Sequence, residues 1–397
     1  MTHTKKSRGS SKELIMTKLS GDELIKLIQS VFPPFPGDKK LGILVDIPRA
    51  NENDNPDWRQ RRSLAEEWFH TLENNIIAMG LEGAALIAYR DVGSNNADLP
   101  SEAFFVQKNL PATADQLPGT GQPVLFEEIF KEFQLFLAPT EYSTTAPLKN
   151  AAKIYGFRAA TMPGFTPKMI PALRIDYNEV SRRVTVLKEK LDPALWAEVI
   201  FSDENGDSYK MFFDLRFRKA HLSPGRFPEK STAGNLPSGE TYIVPYEGEL
   251  GEKTQTRGVL PVQIGNDIIR FIIEENRAVG IEGNGKTSEA EKEHLRREPA
   301  YGNMAELGFG VLSDFGLAPI GEILLDEKLG FHVAFGRSDH FGGAVGPKDF
   351  SSPQEVIHLD RIYIPATQPR ILVKSITLGF ENNRTEIIME NGKYLCF

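Results

Sequence analysis

From residue 20 to about 161, apolar strands alternate with amphipathic helices, and beyond about 190 that alternation stops. Strand–helix–strand succession builds a parallel sheet covered by helices, because parallel neighbours need a crossover between them. Short β-rich runs joined by turns build antiparallel sheets instead. The chain has 397 residues, more than one hydrophobic core usually serves. Two domains are therefore expected. Residues 13–185 read as an α/β domain, a parallel sheet with helices. Residues 186–397 read as an α+β domain with a large, mostly antiparallel sheet. Residues 1–12, polar and mildly basic, read as a disordered tail.

The first helix opens at Ser20 and Asp22 and carries the stripe Leu24, Ile25, Leu27, Ile28 and Val31, before the Pro33–Gly37 break. Strands are expected at 41–46, 83–89, 134–138 and 156–161, and helices at 59–80, 126–133, 144–155 and 178–191. In the second domain, strands are expected at 208–218, 241–246, 256–263, 268–274 and 277–282. The charged helix at 286–298 reads as a solvated face.

Several function classes lose support here. A net charge of −8 opposes general nucleic-acid binding. No apolar run is long enough to span a bilayer, and no signal-peptide core opens the chain. No glycine-rich phosphate loop follows any strand. The only cysteine, Cys396, excludes an internal disulfide and a cysteine-based zinc site. A cytoplasmic location fits, with no nucleic-acid or membrane partner. Any metal would be held by histidine and carboxylate.

The metal-capable residues fall in the second half. His358 and Asp360 alternate on a strand at 355–364, so both side chains point one way. Such a pair holds one ion, bridges two, or is simply a hydrogen-bonded structural pair. Glu240 follows the turn Asn235–Gly239, a setting that also suits a solvated hairpin corner. Glu306 stands alone in the small, apolar run 303–310, where a carboxylate needs a partner or a cation. His332 lies on the apolar strand 330–336, which also suits a satisfied core histidine. The polar, glycine-rich loop at 337–343 follows, with Arg337, Asp339 and His340. These donors exceed what one ion needs. A metal pair about 3.5–4 Å apart, bridged by a carboxylate and a water, would use them all.

In their motifs and order these segments resemble the aminopeptidase T / aminopeptidase S (PepS) family of metallopeptidases. That family carries an NLPxGE turn, a GELxxG-like segment, a DENxxxHxAxG strand and a terminal HxD strand. Here stand Asn235–Glu240, Ala305–Gly310, Asp326-Glu327-Lys328 running to His332 and Gly336, and His358–Asp360. The resemblance covers roughly residues 135–397.

The resemblance implies a divergent metallo-aminopeptidase that removes the N-terminal residue from short peptides, acting as a homodimer. Two divalent ions (zinc, cobalt or manganese) would be held by Glu240, Glu306, His332, His358 and Asp360. The family's tyrosine ligand after the first histidine is missing, and His340, then Asp339, is nearest to replace it. Glu306 or Glu240 would take the proton of the attacking water, and His340 or Arg337 would face the oxyanion. The same scaffold is similar to that of a ring-cleaving dihydroxypyridine dioxygenase. In that reading His332 or His340, with His358 and Asp360, holds one non-haem Fe(II). A third reading is a non-catalytic metal-binding relative.

Overall fold

The computed structural model describes residues 18–397, so the expected tail at 1–12 lies outside the described residues. The chain divides into two units. The first comprises residues up to 181 together with 223–238 and 322–325, and the second comprises 182–222, 239–321 and 326–397. Among the described residues no helix is long and apolar enough to cross a membrane.

A seven-stranded sheet forms the first unit. Its order is Thr232–Asn235, Arg158–Thr161, Leu135–Ala138, Lys40–Ile47, Gly83–Arg90, Glu102–Val106, Gly121–Leu125. The first five strands run parallel and the last two antiparallel. Lys40–Ile47 is buried along almost its whole length, as a strand covered on both faces must be. Five phenylalanines (Phe126, Phe130, Phe133, Phe136 and Phe157) fill the core on one side.

The expected helices form, with shifted ends. Ser20 caps the first, Gly21–Val31, in a reciprocal box with Glu23. The helix expected at 59–80 is Pro56–Glu73, opened by Asn55, whose side chain accepts from the Trp58 amide at 2.8 Å. It stops early because the Asn74 and Asn75 side chains bond back to the His70 and Thr71 carbonyls. A separate 3-10 turn, Ile77–Met79, then ends at left-handed Gly80. Between Arg90 and Phe126, where the sequence reading placed no strand, lie the two antiparallel edge strands. They are short, and Pro123 sits on the outermost, where a missing amide costs no ladder bond.

Asp46 locks the carboxyl end of the central strand. It is fully buried, and Oδ1 accepts from Trp58 Nε1 at 3.1 Å and the Glu141 amide at 2.8 Å. Oδ2 accepts from the Tyr142 amide at 3.0 Å. Burial raises its pKa to about 6, against the opposing pull of those two backbone donors.

The second unit holds two sheets. Eight antiparallel strands follow the order Arg277–Glu282, Asp267–Glu274, Arg257–Ile264, Ser208–Asp214, Trp196–Asp203, Ile371–Gly379, Thr385–Glu390, Lys393–Tyr394. This is the large antiparallel sheet expected from the turn-rich sequence. A smaller five-stranded sheet has the order His358–Ile362, Phe331–Gly336, Met304–Gly310, Glu240–Ile243, His221–Ser223. Glu240, Glu306, His332, His358 and Asp360 are on this smaller sheet, whereas His340 lies in the 3-10 turn Asp339–Phe341 that follows one of its strands.

Replacing Asp46 by alanine leaves the Glu141 and Tyr142 amides without their acceptor, while Trp58 Nε1 keeps the Asp46 carbonyl at 3.0 Å. Asp46→Ala is expected to lower the unfolding free energy by about 2–4 kcal/mol, read by urea titration. A loss below about 0.5 kcal/mol would show that the carboxylate does not hold this strand end.

Candidate metal centre

The local sequences become intelligible once paired. Residues directly opposite in an antiparallel ladder share a face, and so do residues two apart along a strand. Glu240 pairs with Gly310, Tyr242 with Gly308, and Gly308 with His332. Glu306 pairs with Ala334, Ala334 with Asp360, and Gly336 with His358. One face therefore carries Glu240, Tyr242, Glu306, His332, His358 and Asp360, with Gly308, Gly310, Ala334 and Gly336 between them. Leu307, Phe309, Phe331, Val333 and Phe335 point the other way, and all are fully buried or nearly so.

The small residues make room. A Cβ on Gly308 would lie 1.9 Å from His332 Nε2, so the imidazole lies across that glycine. On Gly336, left-handed at φ 98°, a Cβ would meet the Ile357 carbonyl oxygen at 2.3 Å.

Four further metal-capable side chains gather around Glu306. Its Oε1 lies 3.4 Å from His332 Nε2, and its Oε2 lies 3.2 Å from His358 Nε2. Glu240 Oε2 is 3.7 Å from His332 Nε2. Asp360 Oδ1 is 3.9 Å from His332 Nε2 and 3.7 Å from His358 Nε2. Two donor sets follow: Glu240, Glu306 and His332; and Glu306, His358 and Asp360. Glu306 belongs to both.

Three observations fit this set to divalent cations. Donors sharing one ion at about 2.0–2.2 Å stand roughly 3–3.5 Å apart, close to the spacings here. Glu240 Oε2 and Asp360 Oδ1 are buried with no hydrogen-bond partner, which a cation between them and the imidazoles would supply. Each histidine also turns Nδ1 to a backbone carbonyl, His332 to Gly330 at 3.1 Å and His358 to Arg337 at 2.8 Å. That bond fixes the tautomer and leaves Nε2 facing the carboxylates, the orientation expected of a metal-ligating histidine.

The charges respond to this crowding. Burial opposes ionisation of Glu306, but bonds from His332 and His358 outweigh it and hold its pKa well below the usual range. Burial alone would lower both imidazoles. The Glu306 bond and the Asp360 charge win, carrying His332 to about 10 and His358 to about 9. Burial lifts Asp360 to about 6 and Glu240 to about 7, the latter against the pull of Lys328. The cluster thus collects positive charge, as protons where no metal is present.

His340 and Arg337 stand outside the two donor sets. The His340 ring lies 5.3 Å from that of His358 and 3.9 Å from that of Phe341, one-third exposed. Burial and then the His358 charge lower its pKa to about 4, so it is neutral at pH 7. Arg337 Nε donates to Asp339 at 2.6 Å. The loop bearing all three is anchored by buried Glu247, which accepts from Ser338 Oγ at 2.6 Å, from Asn303 Nδ2 at 2.8 Å and from the Ala344 amide.

Sequence reading missed Glu247, Tyr242 and Lys328. Tyr242 was signalled by its place two residues after Glu240 on the same strand. Its ring is 4.7 Å from that of Phe341 and stacks on His221 at 5.2 Å. Lys328 was signalled by standing where the resembling family has asparagine. Glu247 had no local signal, because its partners Asn303, Ser338 and Ala344 lie more than fifty residues further along the chain.

No family model and no curated protein sequence matches the chain. Solved structures do resemble it. One is a 2,5-dihydroxypyridine dioxygenase from Pseudomonas putida KT2440, with TM-score 0.59, 14% identity, and coverage of 96% of this chain and 99% of that one. Another is AmpT (aminopeptidase T) from Thermus thermophilus, with TM-score 0.51, 12% identity, and coverage of 94% and 99%. At such identities the likeness establishes the two-part α/β fold that these enzymes share.

Metal ligation needs neutral imidazoles, so a divalent ion must expel the protons held by His332 and His358. Zinc added to chelator-treated chain at pH 7.5 is expected to release protons, measured with an indicator dye. Affinity should rise with pH toward 9–10, as the imidazoles shed their protons unaided. Binding without proton release would contradict the ligand assignment. Gly308→Ala, which pushes the His332 ring aside, is expected to weaken zinc binding at least about tenfold.

Proposed function

We propose that the chain is a metal-dependent aminopeptidase that uses a two-ion centre to remove the N-terminal residue of short peptides. The observation that carries this reading is the division of Glu306 between two donor sets, one oxygen toward His332 and the other toward His358. A carboxylate so shared is the natural bridge of a cation pair. Glu240 and His332 would complete one position, and His358 and Asp360 the other. Bound there, zinc, cobalt or manganese would supply Lewis acidity and a water acidic enough to attack near neutral pH.

The chain's own groups supply the rest. Glu240 and Glu306 are the carboxylates available to take the proton of the attacking water. Neutral His340, beside His358 on the loop held by Glu247, can donate an N–H to a developing oxyanion. Arg337 is tied to Asp339 and steadies that loop. Half-buried Phe341 and the Tyr242 ring offer an apolar wall for the substrate's first side chain.

A second reading has one specific support. Asp360 Oδ1 lies between both imidazoles, so His332, His358 and Asp360 offer the two-histidine, one-carboxylate set of non-haem Fe(II) enzymes. It leaves Glu240 and Glu306, both buried, without a role, and therefore ranks second.

The test is hydrolysis of aminoacyl p-nitroanilides by chain reloaded with zinc, cobalt or manganese. Activity is expected, and Glu306→Gln should lower kcat by at least about a hundredfold. No hydrolysis with any of the three metals, together with oxygen uptake by Fe(II)-loaded chain on a dihydroxypyridine, would overturn the first reading in favour of the second.

A further inference from the structure

The two ends of the centre differ in their charged neighbours. At the Glu240 end, Lys328 Nζ lies 2.5 Å from Glu240 Oε1 and also contacts Glu327. The Lys328 side chain is 2% exposed and that of Glu240 6%, so water does little to screen this pair. Among the described residues no lysine or arginine is paired with Glu306 or Asp360, whose ion-pair partners are the two histidines.

The backbone gives Lys328 little freedom to withdraw. Its residue lies in the 3-10 turn Glu327–Leu329, pressed against the site strand at Gly310. A Cβ on Gly310 would fall 2.3 Å from the Lys328 carbonyl carbon and 2.4 Å from its oxygen. Gly310 is the residue paired with Glu240. A glycine is therefore placed where it lets Lys328 approach that carboxylate. The consequence for Glu240 is that Oε1 is engaged while Oε2, 3.7 Å from His332 Nε2, is left without a hydrogen-bond partner.

We propose that Lys328 makes the two cation positions unequal. The Glu306–His358–Asp360 position fills first and tightly, and the Glu240–Glu306–His332 position fills weakly. This rests on the two-ion reading above. The reasons are elementary. The ammonium, shared between Glu240 and Glu327, already offsets charge on one of the carboxylates that would draw in a second cation. It holds one of Glu240's two oxygens, so that residue can offer a cation only the other. It also repels a divalent ion bound a few ångströms away, in surroundings where Coulomb forces are weakly screened. The centre would then work with one resident ion and one that exchanges with the medium, and its second occupancy would follow free-metal concentration.

The experiment is a zinc titration of the chelator-treated full chain by isothermal calorimetry, with far-ultraviolet dichroism confirming the fold of each variant. Lys328→Gln keeps a hydrogen-bond donor near Glu240 and removes the charge, whereas Lys328→Arg keeps the charge. In the unsubstituted chain the first zinc is expected to bind at least about a hundredfold more tightly than the second. Lys328→Gln should strengthen the second step at least about tenfold and leave the first within about twofold, and Lys328→Arg should keep the split. Two equal steps in the unsubstituted chain, or an unchanged split in Lys328→Gln, would overturn the proposal and leave the two-ion reading standing. A single zinc in both the unsubstituted chain and folded Lys328→Gln would overturn the two-ion reading, and the proposal with it.

Discussion

Glu306 stands on a strand whose other site-facing positions, Gly308 and Gly310, are glycine, and its two oxygens face two different imidazoles. The rest of the centre depends on that arrangement. A carboxylate this deeply buried is costly in isolation. Here the cost is offset by His332 and His358, each held by a backbone carbonyl in the tautomer that directs Nε2 inward. Gly308 leaves room for the His332 ring, and donors from four strands reach a common volume. A larger residue at Gly308 would occupy the space of the His332 ring itself.

The electrostatics follow from the same crowding. Three carboxylates and two imidazoles share a site from which solvent is nearly excluded. Positive charge is drawn in wherever it is available: as protons on the histidines, as the ammonium of Lys328, and, in the proposed function, as divalent ions. Lys328 makes the centre asymmetric, because it offsets charge only at the Glu240 end. Its place in the chain, directly before the His332 strand, makes that asymmetry a property of sequence and backbone together.

Much of this was legible in the sequence, for identifiable reasons. Period-two alternation marked His358 and Asp360 as sharing a sheet face, and the lone acid in 303–310 and lone histidine in 330–336 marked polar groups among apolar residues. The switch from strand–helix rhythm to turn-linked strands separated the mixed sheet from the antiparallel ones. What stayed hidden depends on long-range contact. The edge strands at 102–106 and 121–125 are short, and one contains proline. The segment 232–235 joins the sheet of the first unit from far along the chain. The early end of the helix at Glu73 turns on two asparagine side chains. Glu247 acquires its role only when Asn303, Ser338 and Ala344 arrive beside it.

Structures that resemble this chain are named for hydrolytic and for oxygen-dependent chemistry, so the fold alone does not choose between them. The choice lies in how many ions Glu306 joins. The most direct measurement is anomalous X-ray diffraction at the zinc edge from crystals of zinc-loaded chain. Two anomalous peaks are expected, one beside each oxygen of Glu306, with the peak beside His358 and Asp360 at the higher occupancy. A single peak between His332, His358 and Asp360, with Glu306 turned away from it, would contradict the shared-carboxylate centre.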